Sequence, residues 1–326
     1  MSEAGLWRAR PRRLEPMHAW RERRARFGEL VQWDTSEHDW LQGRGEKLYL
    51  IHMIDDATSR LQARFVRHDS TEENLRMLRG WIQRHGRMLA CYTDKASLFR
   101  TAPKIARDQK QLPRDEREPL PPTQIGRALK ELGIVLTLAH SPQAKGRVER
   151  SFQTAQDRLV KELQAAQART LEQANQVLKE VFLPWWERNC TVRPAHPDDA
   201  HRALQPEHRL DAIFSQVEQR QVLKDYTFRF PGQLYRIEPA EIRTGWRGGV
   251  LRLERRLDGT LAVAFQGRYL RYQPCAAAER LAAAQPKRTA AKSKPHRRTG
   301  WMKGFDLHTG PPLWQAVESS GARAES

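Results

Sequence analysis

The chain has 326 residues, a hydrophobic content of 39% with ten tryptophans, and a formal net charge of +18. That composition builds a sizeable core and excludes a wholly disordered protein, while the excess of lysine and arginine points to a polyanionic partner, nucleic acid first. No apolar run is long enough for a bilayer-spanning helix and no secretory signal is present, so no membrane partner is expected. Cys91, Cys190 and Cys275 stand singly without CxxC pairing. That argues against a zinc module or disulfide framework and fits a reducing compartment such as the cytoplasm.

Residues 1–27 are dominated by arginine (Arg8, Arg10, Arg12, Arg13, Arg21, Arg23, Arg24, Arg26) and read as a basic arm, either lying along phosphates or merely solvated. Leu30-Val-Gln-Trp-Asp34 is a strand candidate ending on an acid. After a Gly43-Arg-Gly45 turn, Leu48–Ile54 is a second strand, apolar enough for a sheet centre. Asp55–Ser59 makes a turn and Leu61–Val66 returns, completing an antiparallel meander. Ser70 or Thr71 caps a helix running to His85, with Leu75, Leu78, Trp81 and Ile82 on one face. Met88–Tyr92 is a fourth strand, followed at once by Thr93, Asp94 and Lys95. Residues 100–122 hold five prolines and read as a mobile insertion. Thr123–Leu132 is a helix and residues 134–139 a fifth strand.

Ser141 and Pro142 then open a long helix as cap and first residue. Val148, Phe152, Ala155, Leu159 and Leu163 form its apolar stripe. Glu149 stands beside the stripe among Lys145, Arg147 and Arg150. The order β-β-β-α-β-α-β-α predicts an α/β fold: a ribonuclease-H-like mixed sheet flanked by helices. In such a sheet the first and fourth strands are neighbours and the last helix packs on them, so Asp34, Asp94 and Glu149 would converge at one edge.

Three carboxylates suit phosphodiester transfer. An oxygen nucleophile must be activated, a leaving oxygen stabilised and an anionic phosphate neutralised, which two Mg²⁺ ions about 4 Å apart accomplish together. Mg²⁺ is a hard ion held by a few carboxylates and its own waters. Asp34 would bridge both ions, with Asp94 and Glu149 each completing one site. Plainer readings stand beside this one: Asp34 as an Asx-turn residue, Asp94 as a turn cap, Glu149 as a salt-bridge partner of Lys145. Asp55 and Asp56 are rival carboxylates whose place in a tight turn favours a structural role. His196, His201 and His208 lack metal-ligand spacing and read as surface or packing residues.

Beyond the core (28–188), Thr170–Trp186 continues helical, and residues 189–224 form a proline-bearing linker that wraps the core. From Tyr226 the period switches to two, giving five short strands with Asp258-Gly259 as a hairpin turn. They predict a small SH3-like barrel over 225–275. Its Arg229, Arg236, Arg252, Arg268 and Arg271 either contact phosphates or line an ordinary solvated face. Residues 276–326 form a basic tail, expected to be disordered, with an aromatic island at Trp301, Phe305, Leu307 and Trp314.

The segments QWDTSEHDWLQGRG, MIDDATSRLQARF, YTDKASLFR and HSPQAKGRVERSFQTAQDRLVKEL resemble the catalytic core of insertion-sequence transposases of the ISNCY group, within the DDE transposase and retroviral-integrase superfamily. The likeness spans about Phe27 to Tyr272. It implies that Asp34, Asp94 and Glu149 are the DDE triad, that two Mg²⁺ or Mn²⁺ ions serve them, and that released 3′-OH ends attack target DNA. It also implies a homo-oligomer on transposon ends and target DNA, with Lys95, Lys145, Arg147, Arg150, Arg229 and Arg252 as the expected DNA contacts. Asp94 and Glu149 lie 55 residues apart (149 − 94), a wide spacing that the proline-rich insertion takes up. Relatives usually carry helix-turn-helix domains ahead of the core, where this chain has 33 residues before Asp34. The expectation is a chain lacking that region, either because the gene is truncated or because its product relies on a separate end-recognition protein. The rival expectation is a catalytically inert DNA-binding remnant; a nuclease acting on RNA–DNA hybrids is a weaker third.

Overall fold

The computed structural model describes residues 22–94, 98–99, 121–138, 146–243 and 245–275, without the side chains of residues 146 and 147. The arm up to residue 21, Lys95, the proline-rich insertion over 100–120, the helix start at Ser141-Pro142, Lys145 and the tail from 276 lie outside the described residues.

The centre of the fold is β1 (Leu30–His38), whose first four residues are buried on both faces. It pairs antiparallel with β2 (Leu48–Asp55), and β2 pairs antiparallel with β3 (Leu61–Val66). On its other side β1 pairs parallel with β4 (Ala90–Thr93), and β4 with β5 (Val135–Leu138). The order β3-β2-β1-β4-β5, antiparallel on one half and parallel on the other, is the ribonuclease-H-like sheet expected from the element order. Parallel neighbours require crossovers, and two helices supply them. Helix α1 (Thr71–His85) is capped by the Ser70 hydroxyl accepting from Glu73 N at 3.2 Å, and α2 (Gln124–Glu131) by the Thr123 hydroxyl accepting from Gly126 N at 3.1 Å.

Strand alternation assigns the two sheet faces. Val31, Trp33, Ile51, Met53 and Cys91 face α1 and α2, meeting Leu78, Trp81, Ile125 and Leu129. Leu48, Leu50 and Ile54 face α3 (Gly146–Ala165), α4 (Leu171–Val177), a π-helical turn (Leu178–Phe182) and α5 (Leu183–Asn189). The predicted stripe of α3 is buried as expected, with Val148, Ala155, Leu159 and Leu163 fully enclosed and Phe152 nearly so. At the open edge of β3, Asn175 stands in for a further strand: its Oδ1 accepts from Phe65 N at 2.9 Å and its Nδ2 donates to Phe65 O at 3.0 Å.

Residues 190–202 strap the core. Val192 N donates to Thr58 O, His196 N to Ala25 O and Ala200 N to Phe27 O, and Arg87 and Arg202 form a bridge. His201 is a packing residue, as expected: its nearly buried ring accepts from Trp81 Nε1 at Nε2 (3.1 Å), and its Nδ1 meets Asp199 Oδ1 at 2.6 Å. After α6 (Leu210–Ile213) come two small antiparallel sheets around their own core, which includes Phe228, Trp246, Leu253 and Phe265. One sheet has the order β11-β10-β9-β6: β6 (Gln216–Gln221), β9 (Val250–Arg255), β10 (Leu261–Phe265) and β11 (Arg268–Leu270). The other is β12-β8-β7: β7 (Thr227–Phe230), β8 (Gln233–Ile237) and β12 (Tyr272–Cys275). Strand β6 lies inside the stretch read as linker. Gln124 from α2 pairs with its backbone, Nε2 donating to Val217 O at 2.8 Å and Oε1 accepting from Val217 N at 2.9 Å.

Candidate active site

The face of the sheet that receives α3 carries a polar island inside an otherwise apolar interface. On β1 it consists of Gln32, Asp34 and Ser36, which alternate with the core residues Val31 and Trp33. Asp34 pairs in register with His52 of β2. On the parallel side Leu30, Val31 and Gln32 pair with Ala90, Cys91 and Tyr92. Carrying that register on by two residues sets Asp34 opposite Asp94, the residue that follows β4, with neighbouring strands about 4.8 Å apart. Because Cys91 faces the other side, alternation aims Asp94 at the same face as Asp34.

Helix α3 lies along this island. Near its start, Val148 N donates to Gln32 Oε1 at 3.1 Å, and two turns on, Gln156 Nε2 meets Ser36 Oγ at 3.5 Å. Eight helical residues rise about 12 Å and four strand residues about 13 Å, so helix and strand advance in step. Glu149 lies seven residues before Gln156, on the same stripe, and so stands abreast of the stretch from Gln32 to Asp34.

Buried hydrogen bonds fix the docking. Gln32 is buried, and its Nε2 donates to Asp56 Oδ1 at 2.8 Å. His52 Nδ1 meets Ser151 Oγ at 3.2 Å, Ser151 Oγ donates to Val148 O at 2.7 Å, and the imidazole stacks on Phe152 with centroids 4.3 Å apart. Burial lowers the His52 pKa to about 3, so the ring is neutral at ordinary pH. Gln32 and His52 are residues that periodicity alone did not single out. Their signal in the sequence is a polar side chain inside an apolar strand, in LVQW and LIHM.

Asp34 and Asp94 are half-buried and Glu149 is exposed. Thr35 N donates to Asp34 Oδ1 at 3.1 Å. Among the described residues, no three acidic, histidine or cysteine side chains are close enough together to hold a metal ion. The fold thus brings the three acid-bearing positions to one edge without gathering their carboxylates into a cage. Asp55 and Asp56 have the structural role expected of them. Asp55 accepts from Gly28 N, Thr58 N and Thr58 Oγ1, with burial raising its pKa against those bonds, and Asp56 accepts from Arg24 N as well as Gln32.

Of the expected phosphate contacts, Arg150 is exposed on α3 and Arg229 on β7, and the Arg147 backbone belongs to α3. Arg252 sits differently. Its Nε donates to Glu254 Oε1 at 2.8 Å and its terminal nitrogens reach Glu131 of the core at 3.4 Å, so this guanidinium joins the two parts of the chain. Arg268 and Arg271 are likewise engaged, by Glu241 at 2.7 and 2.8 Å. Among the described residues no helix is long and apolar enough to cross a membrane.

No family profile matches the chain. A protein of Sinorhizobium fredii named as a transposase, y4bF, is 39% identical over 275 residues, which is 84% of this chain and 58% of that protein. The transposase for insertion sequence IS1202 of Streptococcus pneumoniae is 32% identical over 225 residues, 67% of this chain and 44% of its own. The chain is a relative of transposases. It spans about half the length of these two relatives. Among solved structures, this transposase relative is similar to a chain of the simian T-cell lymphotropic virus intasome in complex with PP2A regulatory subunit B56 gamma. That match has 15% identity and a TM-score of 0.39, covering 80% of this chain and 85% of that one. The HTLV-2 integrase catalytic core in complex with magnesium (trimeric form) matches with 15% identity and a TM-score of 0.33, covering 50% of this chain and 86% of that one. Both likenesses are loose, and the fold rests on the strand order itself.

Proposed function

We propose that this chain is the catalytic region of a DDE-type transposase, a polynucleotidyl transferase that cuts DNA strands and joins the freed 3′-OH ends to target DNA. One observation carries the reading: the parallel register of β1 with β4, carried on by two residues, sets Asp34 level with Asp94 just past β4, and Glu149 lies in the first turn of the helix docked on the same face. The 39% identity to a transposase-named protein over most of the chain supports it.

The donor set fits a hard divalent cation, since all three side chains offer carboxylate oxygen, Asp34 from within β1 and Asp94 from directly after β4. Asp34 is assigned to both ion positions, Asp94 and Glu149 to one each. When bound, two Mg²⁺ or Mn²⁺ ions would supply charge neutralisation at the phosphate and lower the pKa of the attacking hydroxyl or water. The chain's own residues hold the substrate around that point. Arg150 beside the acids and Arg229 on β7 are assigned to phosphates, together with Lys95, Lys145 and Arg147.

The organisation proposed is a core over 28–188 followed by a small β-domain that begins at β6. The proposed partners are transposon ends and target DNA in a bacterial cytoplasm. A homo-oligomer is assigned because joining two ends requires two active sites. A separate end-recognition protein is a further proposed partner.

The test is a pre-branched DNA substrate that mimics a strand-transfer product and demands little end specificity. Wild type is expected to resolve it with Mg²⁺ or Mn²⁺, while Asp94→Asn binds the DNA equally and resolves none. Equal binding with no resolution by either protein would favour the inert DNA-binding remnant and sink the enzyme assignment.

A further inference from the structure

Helix α3 brings an unusual need to the sheet. The first N–H groups of any helix lack partners within the helix, and one of them, Val148 N, is buried in this interface. It is met by the Gln32 side chain, from a residue 116 positions earlier in the chain. An amide has two ends, and which end faces the helix is decided by what binds the other. Asp56 is buried and its carboxylate accepts only, so it takes Nε2 and turns Oε1 toward Val148. Asp56 is itself held in place by Arg24 N, and its own backbone N donates to Leu30 O at the start of β1.

Gln32 therefore ties three elements at one buried point: the turn after β2, strand β1 two residues before Asp34, and the first turn of α3 beside Glu149. The second tie, His52 to Ser151, fixes the following turn of the helix. We propose that Gln32 is a positioning residue that sets the axial position of Glu149 against Asp34, and so sets the separation of the carboxylates that share the divalent ions. This inference rests on the reading of Asp34, Asp94 and Glu149 as the metal-holding acids. A loss of this tie leaves a buried N–H unpaired and frees the helix start to shift by a fraction of a turn. Small displacements of a catalytic group of this kind have large consequences for rate.

The test uses the full chain and Gln32→Met, which keeps length and bulk but neither hydrogen bond, with Gln32→Asn as a second variant too short to reach both partners. Mn²⁺ binding is followed without turnover by loss of the free-ion electron paramagnetic resonance signal, alongside wild type, Glu149→Gln and the double variant Gln32→Met/Glu149→Gln. Hydrogen exchange reports the Val148 N–H, and the thermal midpoint checks folding. The expected result is fast Val148 exchange and roughly ten-fold weaker binding at one of the two ion positions in Gln32→Met. The same position should weaken in Glu149→Gln, and the double variant should lose no more than Glu149→Gln alone. If Gln32→Met does not fold, the same pattern is required of Gln32→Asn. Wild-type Mn²⁺ binding despite fast Val148 exchange would overturn the positioning role, as would losses that simply add in the double variant. Unchanged Mn²⁺ binding in Glu149→Gln would overturn the metal-holding reading itself and the inference with it, a result recognisably different from failure of the tie.

Discussion

Arg127 on α2 is the sharpest point at which to test how the small β-domain is attached. Its side chain is only 15% exposed, and one terminal nitrogen donates to Ser215 O at 2.6 Å and Ile213 O at 3.0 Å. The other terminal nitrogen donates to Glu131 Oε1 at 2.9 Å, and burial pulls the guanidinium pKa down against the lift from that carboxylate. Arg127→Met keeps much of the aliphatic stem but leaves two carbonyls beside the buried residues Ile213 and Ser215 without their charged donor. Hydrogen bonds from a charged donor are worth about 1.5–3 kcal/mol each, so a loss of about 3–5 kcal/mol is expected. The comparison variant is Lys161→Met, which breaks an ion pair whose side chains are 70% and 75% exposed and should cost less than about 0.5 kcal/mol. Urea unfolding of both variants, read as midpoint shift multiplied by slope, gives the two numbers. A loss below about 1 kcal/mol for Arg127→Met would refute the claim that these carbonyls depend on it.

Two further predictions test the core. His52 is neutral when folded, with a pKa lowered by burial to about 3, whereas the unfolded ring takes up a proton near 6.5. Its contribution is therefore intact above pH 6.5 and declines by about 1.4 kcal/mol per pH unit as pH falls from 6.5 toward 3. His85, lowered to about 4 chiefly by burial, adds to the same trend, so His52→Phe should remove about half of the slope between pH 6.5 and 4 in urea midpoints. An unchanged slope would contradict the buried neutral assignment. Asn175→Ala removes both bonds to the Phe65 backbone and should cost about 1–3 kcal/mol while raising light scattering, because an open strand edge invites pairing between molecules. Wild-type stability together with wild-type scattering would count against edge protection by this side chain.

Local periodicity carried much of the architecture. The meander of β1 to β3, the helix ending at His85 and the apolar stripe from Val148 to Leu163 each bury a continuous set of side chains, and a buried set of fixed period leaves its mark on the sequence. The element order places Asp34 on β1 and Asp94 directly after β4, the strand that neighbours β1 in such a sheet. Strand β6 escaped that reading because QVEQRQ carries little apolar alternation. It is a strand because β9 on one side and the Gln124 side chain near its start satisfy its backbone. The arginines of the β-domain looked alike in sequence, yet Arg229 faces solvent while Arg252, Arg268 and Arg271 are bound to Glu254, Glu131 and Glu241. What the tertiary structure alone decided is pairing between distant polar groups: Gln32 with Val148 and Asp56, His52 with Ser151, Asn175 with Phe65. Hydrophobic burial is non-directional and adds up along a helix or strand, so it is written in the spacing of residues. A buried hydrogen bond depends on two atoms meeting within about 3 Å in one orientation, and that meeting exists only once the chain has folded.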